Sequence, residues 1–271
     1  MICFPNAKIN LGLHVIEKRA DGFHNIETVF YPIGWKDVLE VVENKTTTDA
    51  FRLTISGLDI QGKIEDNLLY KAYSLMQQKK QLPNIDVFLH KLLPMGAGLG
   101  GGSSDAAFFI NLLNLQFNLG FTDEERLLMA QTLGSDCAFF IKNTPMYATN
   151  KGDVLSPISI NLKDMFAVVI FPNIHSNTKE AYSIIKPQAS IKPIPDILKQ
   201  PIYTWKDELV NDFEQSIFKL YPEIKSIKEK FYNEGAIYAS MSGSGSAVFG
   251  LFTEKPALTC FKEYSQWCGT L

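Results

Sequence analysis

The stretch "PMGAGLGGGSSDAA", residues 94–107, decides how this chain folds and what it binds. Five glycines fall within positions 96–102, and two serines and an aspartate follow them. Glycine loses more backbone freedom on folding than any other residue, so such a run costs stability that a simple turn would not require. An apolar strand segment (85–94) precedes the glycines and a helical segment (104–118) follows. This order presents backbone N–H groups to an anion at a helix N-terminus, which predicts a phosphate-binding loop.

Three familiar phosphate-binding loops do not fit this stretch. Gly96, Gly98 and Gly101 satisfy GxGxxG, but a dinucleotide site also needs an acidic residue after a second strand about twenty residues on. This chain begins another helix there. A P-loop would place a lysine after Gly102, and a protein kinase would add VAIK, HRD and DFG elements. Without a loop lysine, positive charge for a phosphate must come from a metal ion or from elsewhere in the chain.

Hydrophobic spacing outlines the other elements. It predicts strands at 8–16, 27–33, 37–43, 51–56, 85–94 and 166–171, and a strand–turn–strand unit at 236–252. It predicts helices at 66–78, at 104–118, from Thr122 onward, at 207–220, at 222–233 and at 256–267, and a proline-bearing loop at 185–201. The "TDEE" sequence that begins at Thr122 is a capping box. Strands first and helices later, without strict βαβ alternation, predict an α+β protein with two domains, 1–150 and 151–271.

Composition excludes several classes of function. The chain has 271 residues and a formal net charge of −3, so it lacks the basic field of a nucleic-acid-binding protein. It shows no secretion signal and no run of 18 apolar residues, so we expect a cytoplasmic protein without a membrane segment. The four cysteines (Cys3, Cys137, Cys260 and Cys268) match neither a zinc nor a disulfide pattern, and we expect reduced thiols.

The glycine stretch resembles the second motif of the GHMP kinases, the small-molecule kinase family of galactokinase, homoserine kinase and mevalonate kinase. "PNAKINLGL" (5–13) resembles the first family motif and "MSGSGSAVF" (241–249) resembles the third. Other segments are similar to the branch that phosphorylates the 2-hydroxyl of a diphosphocytidyl-linked methylerythritol; they are "RADGFH" (19–24), "EDNLLYKA" (65–72) and "LGSDCAFF" (133–140). The resemblance covers nearly the whole chain and is weakest between about 185 and 235.

This resemblance implies a fold and a set of ligands. The implied fold is the two-domain α+β GHMP kinase fold, with an N-terminal domain like domain 2 of ribosomal protein S5 and a ferredoxin-like C-terminal domain. The active site is expected in the cleft between the domains. The ligands are ATP, Mg²⁺ and the cytidylyl substrate, without nucleic acid or membrane, in a monomer or weak homodimer.

The resemblance also implies the two residues that carry the chemistry. Alone, Asp136 would be interpreted as a turn or cap residue, and Lys8 as a lysine at a strand edge. In the family pattern Asp136 accepts the proton of the substrate hydroxyl, and Lys8 pairs with it and steadies the hydroxyl or the γ-phosphate. Whether Asp136 is a true general base or a Lys8-centred mechanism operates is left open at this point.

The remaining site residues are implied in the same way. His24 would hydrogen-bond the cytosine edge, Phe23 and Tyr182 would stack on the pyrimidine, and Asn10 would touch the substrate. Ser103 or Ser104 would reach the nucleotide through Mg²⁺. The expected ATP-binding residues are Pro94, Met95, Gly96, Ala97, Gly98, Leu99, Gly100, Gly101, Gly102, Ser103, Ser104, Lys91 and Asn67.

Two departures from the family pattern and one open role accompany this assignment. Asn6 precedes Ala7 where the family usually has proline, and Phe23 stands where it usually has tyrosine, which removes a hydroxyl but keeps a ring face. Residues 242–246 either shape the loop near the phosphates or form a structural turn.

The sequence is also compatible, to different degrees, with three other functions. The chain could be a GHMP kinase for another alcohol, such as homoserine, mevalonate or galactose. It could be a nucleotide-binding regulatory module without catalysis, although the presence of both Lys8 and Asp136 argues against that. A metal-dependent hydrolase is disfavoured because the sequence has no recognisable ligand cluster.

Overall fold

The computed structural model describes residues 1–176, 178–189, 192–257 and 259–271. Its strands are β1 (Ile2–Cys3), β2 (Asn6–Lys18), β3 (His24–Lys36), β4 (Val38–Glu43), β5 (Phe51–Gly57), β6 (Ile85–Lys91), β7 (Met146–Thr149), β8 (Val154–Pro157), β9 (Phe166–Phe171), β10 (Tyr238–Met241), β11 (Val248–Phe252) and β12 (Ser265–Thr270). Its α-helices are α1 (Leu68–Gln77), α2 (Gly101–Gln116), α3 (Asp123–Leu133), α4 (Cys137–Lys142), α5 (Thr178–Ile184), α6 (Ile194–Leu198), α7 (Trp205–Glu208), α8 (Glu214–Leu220) and α9 (Pro222–Asn233).

The chain forms two compact units, and the first consists of Met1–Ala7, Trp35–Met95 and Gly100–Asn143. Its sheet has the strand order β1-β4-β6-β5, in which only the β5–β6 pair is parallel. Helices α1 to α4 belong to the same unit. Helical spacing at 66–78 predicts one apolar face made of Leu68, Leu69, Ala72, Tyr73 and Met76; in α1 the last four are buried and Leu68 is half-buried.

The second unit consists of Lys8–Gly34, Gly96–Leu99 and Thr144–Leu271. It contains one sheet of order β2-β3-β7-β8 and another of order β10-β11-β9-β12, and every pair in the latter is antiparallel. Strand β9 lies inside this second sheet, so its apolar residues are buried almost throughout. Helix α9 packs Ile224, Ile227 and Phe231 into the same core. Neither unit is continuous along the chain, and the domains 1–150 and 151–271 stay a prediction.

Local signals predicted most elements correctly. The strands expected before residue 60 are present, and the capping box at Thr122 is confirmed. The Thr122 hydroxyl accepts the Glu125 N–H at 3.2 Å, while the Glu125 carboxylate accepts the Thr122 N–H at 2.9 Å. Helix α2 begins at Gly101, three residues earlier than expected, because the glycines themselves enter its first turn.

The helix expected at 256–267 is wrong. Apart from Leu258, which lies outside the described residues, this segment holds a short 3₁₀ turn at Thr259–Phe261 and then enters β12. Strand β12 pairs antiparallel with β9, from Ser265 opposite Phe171 to Thr270 opposite Phe166. The buried edge of β9 requires a hydrogen-bonded partner, and that tertiary demand overrides a weak local helical pattern.

Two further expectations were wrong in part. The helix expected at 207–220 is interrupted, because Leu13 of β2 bonds to Val210 and Asp212 through backbone hydrogen bonds of 2.9 Å each. The loop expected at 185–201 contains α6, whose first turn holds a proline. Ser190 and Ile191 of that loop lie outside the described residues.

Two observations bear on membranes and thiols. Within the described parts of the chain, no helix is long and apolar enough to cross a membrane. All four cysteines are present as thiols rather than in disulfides.

The capping box makes a testable contribution to stability. Replacing Thr122 by alanine removes the acceptor of the Glu125 N–H, and the free energy of unfolding is expected to fall by about 1 kcal/mol. Thr122→Ser keeps the hydroxyl and is the matched control, expected within about 0.5 kcal/mol of the wild type. Urea denaturation followed by circular dichroism measures both. Equal losses in the two variants would show that the cap bond does not matter.

Candidate active site

Two glycine-rich segments of the second unit meet backbone to backbone. Gly98 has φ +76°, and a Cβ atom there would lie 2.0 Å from the Ser242 carbonyl oxygen. No side chain fits at that distance, so only glycine can occupy position 98. Residues 96–99 and 241–249, predicted as parts of the second and third motifs, are therefore in direct contact in the structure.

The carbonyl groups of the loop are used inside this unit. Ala97 accepts a hydrogen bond from the Ala247 N–H at 3.0 Å, and Leu99 accepts one from the Lys8 N–H at 3.0 Å. The Gly98 carbonyl accepts from the Ser242 hydroxyl at 2.9 Å. Three successive carbonyls are thus directed into the protein by residues of the other two motifs. The carbonyl oxygens, which would repel an anion, are therefore turned toward hydrogen-bond donors of the protein.

A chain of buried polar side chains runs beside this contact. The Lys8 ammonium donates to Asn10 Oδ1 at 2.6 Å, and Asn10 Nδ2 donates to Thr28 Oγ1 at 2.9 Å. Lys8 Nζ also lies 4.9 Å from the centroid of the Phe30 ring, a cation–π contact. Sequence reasoning found Lys8 and Asn10 but missed Thr28, because a threonine in a strand is ordinary and carries no motif signal.

Side chains that the sequence analysis did not identify donate hydrogen bonds to backbone carbonyls of the third motif. Asn211 Nδ2 donates to the Met241 carbonyl at 2.7 Å and to the Gly243 carbonyl at 2.8 Å. The Ser176 hydroxyl donates to the Ser244 carbonyl at 2.8 Å. Asn211 lies where a continuous helix was expected, so no local signal could have identified it.

The start of α2 presents the helix end that the loop predicts. Gly100, in the left-handed region at φ +72°, is its N-cap and provides no side-chain cap. The Ser104 N–H makes a 2.8 Å bond to the Gly100 carbonyl, and N–H groups earlier in a helix have no partner within it. Ser103 is half-buried, while Ser104 is fully buried and its hydroxyl has no hydrogen-bond partner among the described residues.

A cavity of about 320 Å³ opens beside this helix in the first unit. Its lining includes the apolar side chains of Leu53, Ile55 and Leu89, which suit a flat ring, and also Asn67, Met95, Gly102 and Asp105. Asn67 also caps α1, since its Oδ1 accepts the Leu69 N–H at 2.9 Å. The predicted nucleotide residues Asn67, Met95 and Gly102 are therefore together at one cavity.

Lys91, also expected near the nucleotide, has a fully buried ammonium. Its Nζ lies 2.5 Å from Asp37 Oδ2 and 2.7 Å from Asp105 Oδ2. Asp37 Oδ1 accepts the N–H groups of Leu92 and Leu93 at 2.6 and 2.8 Å. The ammonium is thus engaged in fixing the end of β6 and the first turns of α2. Burial raises the pKa of Asp105 to about 7, although the Lys91 charge opposes the shift.

Two of the three residues expected to bind cytosine are together. The rings of His24 and Tyr182 stack with centroids 4.8 Å apart and an interplanar angle of 19°. Phe23 is 58% exposed, and the Lys151 ammonium lies 5.0 Å above its ring. Burial, together with the nearby Lys18 charge, lowers the pKa of His24, so the neutral ring is favoured at neutral pH. A neutral imidazole can donate from one nitrogen and accept at the other.

Asp136 is at the N-cap position of α4 and is half-buried. Its side chain makes no capping hydrogen bond, so the ordinary reason for an aspartate at this position does not apply. Asp136 belongs to the first unit and Lys8 to the second. Their pairing stays a prediction.

The donor set bears on the expected metal ion. No group of three or more His, Cys, Asp or Glu side chains that could hold a metal was found among the residues described. Mg²⁺ commonly keeps several waters and binds to phosphate oxygens with only one or two protein ligands. Of the two hydroxyls at the start of α2, the half-buried one of Ser103 suits an ion that arrives with a nucleotide, whereas that of Ser104 is fully buried.

Comparison with known proteins gives concordant matches. The model described as "GHMP kinases N terminal domain" matches residues 67–143, and "GHMP kinases C terminal" matches 194–268. The 4-diphosphocytidyl-2-C-methyl-D-erythritol kinase of Bacteroides fragilis is 49% identical over 268 residues, covering 99% of this chain and 98% of the relative. The enzyme of the same name from Cytophaga hutchinsonii is 54% identical over 257 residues, covering 94% of each chain.

Solved structures match over the whole chain as well. The crystal structure of a 4-(cytidine 5'-diphospho)-2C-methyl-D-erythritol kinase is 32% identical with a TM-score of 0.84, covering 100% of this chain and 98% of the other. The Methanococcus jannaschii mevalonate kinase is 15% identical with a TM-score of 0.71 and the same coverage, and it shows the fold alone.

The Gly98 contact gives a sharp prediction for stability. Gly98→Ala places a Cβ against the Ser242 backbone at a positive φ, and the free energy of unfolding is expected to fall by at least about 3 kcal/mol. Gly102→Ala is the matched control, because its Cβ would meet only side-chain atoms at 3.9 and 4.0 Å within a helix. That variant is expected to gain up to about 1 kcal/mol. Similar values for both variants by urea denaturation would contradict the structure.

The buried Lys91 cluster gives a second stability prediction. Lys91→Met leaves two buried carboxylates without their cation, and the expected loss is about 3–5 kcal/mol in unfolding free energy. Arg52→Met is the control, since Arg52 pairs with Asp86 at 2.6 Å with its own side chain 51% exposed. An exposed pair contributes about 0–1 kcal/mol. Thermal and urea unfolding should therefore separate the two variants, and a loss below 1 kcal/mol for Lys91→Met would refute the role of this cluster.

Proposed function

This chain belongs to the GHMP kinase family, and we propose that it transfers the γ-phosphoryl group of ATP to the 2-hydroxyl of 4-diphosphocytidyl-2-C-methyl-D-erythritol. The reaction serves the non-mevalonate route to isoprenoid precursors. The similarity of about half the residues to kinases of that name over nearly the full chain supports the activity. The same similarity carries the choice of a cytidylyl substrate, and His24 and Tyr182, both expected at the cytosine, are in contact with each other.

The glycine loop and the start of α2 would bind the triphosphate. Loop carbonyls 97–99 accept hydrogen bonds from the protein, so the backbone at the loop can offer its N–H groups to phosphate oxygens. The partial positive charge at the α2 N-terminus favours the same ligand. Mg²⁺, when bound with ATP, would neutralise charge on the phosphates, and Ser103 or Ser104 would contact it.

The adenine base would occupy the cavity beside α2. The apolar side chains of Leu53, Ile55 and Leu89 suit a purine face, and the cavity volume of about 320 Å³ lies in the range of small-molecule pockets. Asn67 and Met95 would lie against the nucleotide there. Lys91 would not contact the nucleotide with its ammonium, which is buried between Asp37 and Asp105. Its role would be structural, because this cluster fixes the end of β6 and the first turns of α2.

Asp136 and Lys8 would carry the chemistry. Phosphoryl transfer needs an acceptor for the hydroxyl proton and cationic stabilisation of the transferring group. Asp136, which the family resemblance matches to the catalytic aspartate, would accept the proton. Lys8 would place its ammonium beside the reacting oxygens, since Asn10 and Phe30 hold it from one side.

The cytidine end would be recognised by the turn between β2 and β3. His24 would hydrogen-bond the cytosine edge through a donor and an acceptor nitrogen. The exposed Phe23 would offer a ring face, and Tyr182 would stack on the pyrimidine only if its ring parts from His24. The cytoplasmic location and the monomeric or weakly dimeric state expected from the sequence stay predictions.

A substrate panel tests this proposal. Phosphate transfer from γ-labelled ATP is measured with the cytidylyl alcohol, homoserine, mevalonate and galactose at equal concentrations. We expect kcat/KM for the cytidylyl alcohol to exceed the others by orders of magnitude. A preference for any of the other three would refute the substrate, and ATP binding without transfer to any alcohol would refute the kinase.

The role of Asp136 has its own test. Asp136→Asn removes the proton acceptor but keeps the shape, so kcat is expected to fall about 10²- to 10⁴-fold with ATP affinity nearly unchanged. Asp164→Asn is the control, because Asp164 is exposed and already at positive φ, a region that asparagine tolerates. Turnover near the wild-type value in Asp136→Asn would rule out the assignment.

A further inference from the structure

We propose that Thr28 is a positioning residue for phosphoryl transfer, because its hydroxyl sets the orientation of the Asn10 amide and thereby aims the Lys8 ammonium. The inference rests on the proposed kinase activity and on the place of Lys8 in it. It concerns Lys8, Asn10, Gly12, Thr28 and Ser242, all in the second unit.

The hydroxyl of Thr28 has a determined direction. Its Oγ1 lies 2.6 Å from the Gly12 carbonyl oxygen, and a carbonyl can only accept, so the hydroxyl hydrogen is used there. Oγ1 can therefore only accept any further hydrogen bond, through its lone pairs. The Asn10 atom 2.9 Å away must therefore be the amide nitrogen, which donates to it.

The other end of the Asn10 amide leads to the same orientation. An ammonium has donors only, so the atom 2.6 Å from Lys8 Nζ must be the amide oxygen. The Ser242 hydroxyl lies 3.3 Å from the same oxygen but gives its hydrogen to the nearer Gly98 carbonyl at 2.9 Å, so Lys8 decides the orientation at this end. A reversed amide would place an NH₂ group against the ammonium and an oxygen against the lone pairs of Thr28. Both contacts would then be repulsive.

Burial makes this orientation matter. Thr28 is fully buried, and Lys8 and Asn10 are 3% and 2% exposed. Water is therefore not at hand to replace a misdirected hydrogen bond, and low local polarity strengthens each contact in the series. Thr28 thus anchors the series to a backbone carbonyl, and the Asn10 oxygen at the other end of the series favours one direction of the Lys8 side chain.

The residue at position 28 is suited to both shape and hydrogen bonding. A β-branched side chain fits a buried strand, and valine would fill nearly the same space without the hydroxyl. Serine would keep the hydroxyl and lose one methyl group. These two substitutions separate packing from hydrogen-bond direction.

The first experiment compares Thr28→Val with Thr28→Ser. We expect Thr28→Val to lower kcat about tenfold while the KM values for ATP and the alcohol stay within about twofold, since positioning acts on the reacting geometry. Thr28→Ser should restore kcat to within about threefold of the wild type. Thr54→Val, on the exposed side of β5, is the control and should match the wild type. Wild-type kcat in Thr28→Val, or a failure of serine to restore it, would overturn the proposal.

A second experiment combines Thr28→Val with Asn10→Asp, in order to distinguish loss of amide orientation from a general structural effect. Asn10→Asp offers two equivalent acceptors to Lys8, so no amide remains for Thr28 to orient, and the Thr28 hydroxyl can donate either to the carboxylate or to the Gly12 carbonyl. In this background Thr28→Val is expected to leave kcat unchanged. A further tenfold fall there, as additivity would give, would contradict the inference.

The outcome is separable from that of the proposed function. If the wild type phosphorylates another alcohol, the substrate assignment fails, yet the comparison of valine with serine at position 28 on that alcohol still decides the role of Thr28. If Thr28→Val is inert while the wild type phosphorylates the cytidylyl alcohol, the inference fails and the proposed function stands.

Discussion

The absence of space between Gly98 and Ser242 is the constraint on which the rest of the second unit's site depends. A Cβ at position 98 would lie 2.0 Å from a carbonyl oxygen, so the two backbones pack without any side chain between them. This close approach lets Ser242 reach the Gly98 carbonyl and lets Ala247 reach Ala97. The glycines reduce stability, but they allow two segments that are far apart in the sequence to pack backbone against backbone.

The same contacts support the proposal that a loop without a lysine binds phosphate. Carbonyl groups and phosphate oxygens repel each other, and the carbonyls of residues 97–99 are all engaged by the protein. In the proposed function the cation of the site is Lys8, whose backbone N–H donates to the Leu99 carbonyl and whose ammonium donates to Asn10. The first motif therefore shapes the loop and, in that proposal, also supplies its positive charge.

Sequence reasoning succeeded where the signal is local. The Thr122 capping box and the apolar strand at 166–171 depend on neighbours within a few residues, and both are present. The motif residues Lys8 and Asp136 were identified from a resemblance, since their spacing along the chain carries no such information. The structure then showed that Asp136 does not cap its helix, which the sequence alone left as the ordinary interpretation.

What the sequence could not predict depends on partners far away in the chain. Lys91 pairs with Asp37 and Asp105, which are 54 and 14 residues away in the sequence. The residues next to Lys91 in the sequence give no sign of this buried cluster. Strand β12 forms because β9 has an edge to be paired, and the helical pattern at 256–267 contains no trace of that demand. Thr28 matters only because the Gly12 carbonyl lies 2.6 Å from its hydroxyl.

The central claim is that backbone N–H groups of residues 96–104, rather than a loop side chain, hold the triphosphate. A crystal structure of the chain with a non-hydrolysable ATP analogue, Mg²⁺ and the cytidylyl alcohol tests it most directly. The account predicts several of these nitrogens within about 2.7–3.2 Å of β- and γ-phosphate oxygens. A triphosphate held by lysine or arginine side chains, with the loop nitrogens beyond hydrogen-bond distance, would contradict it.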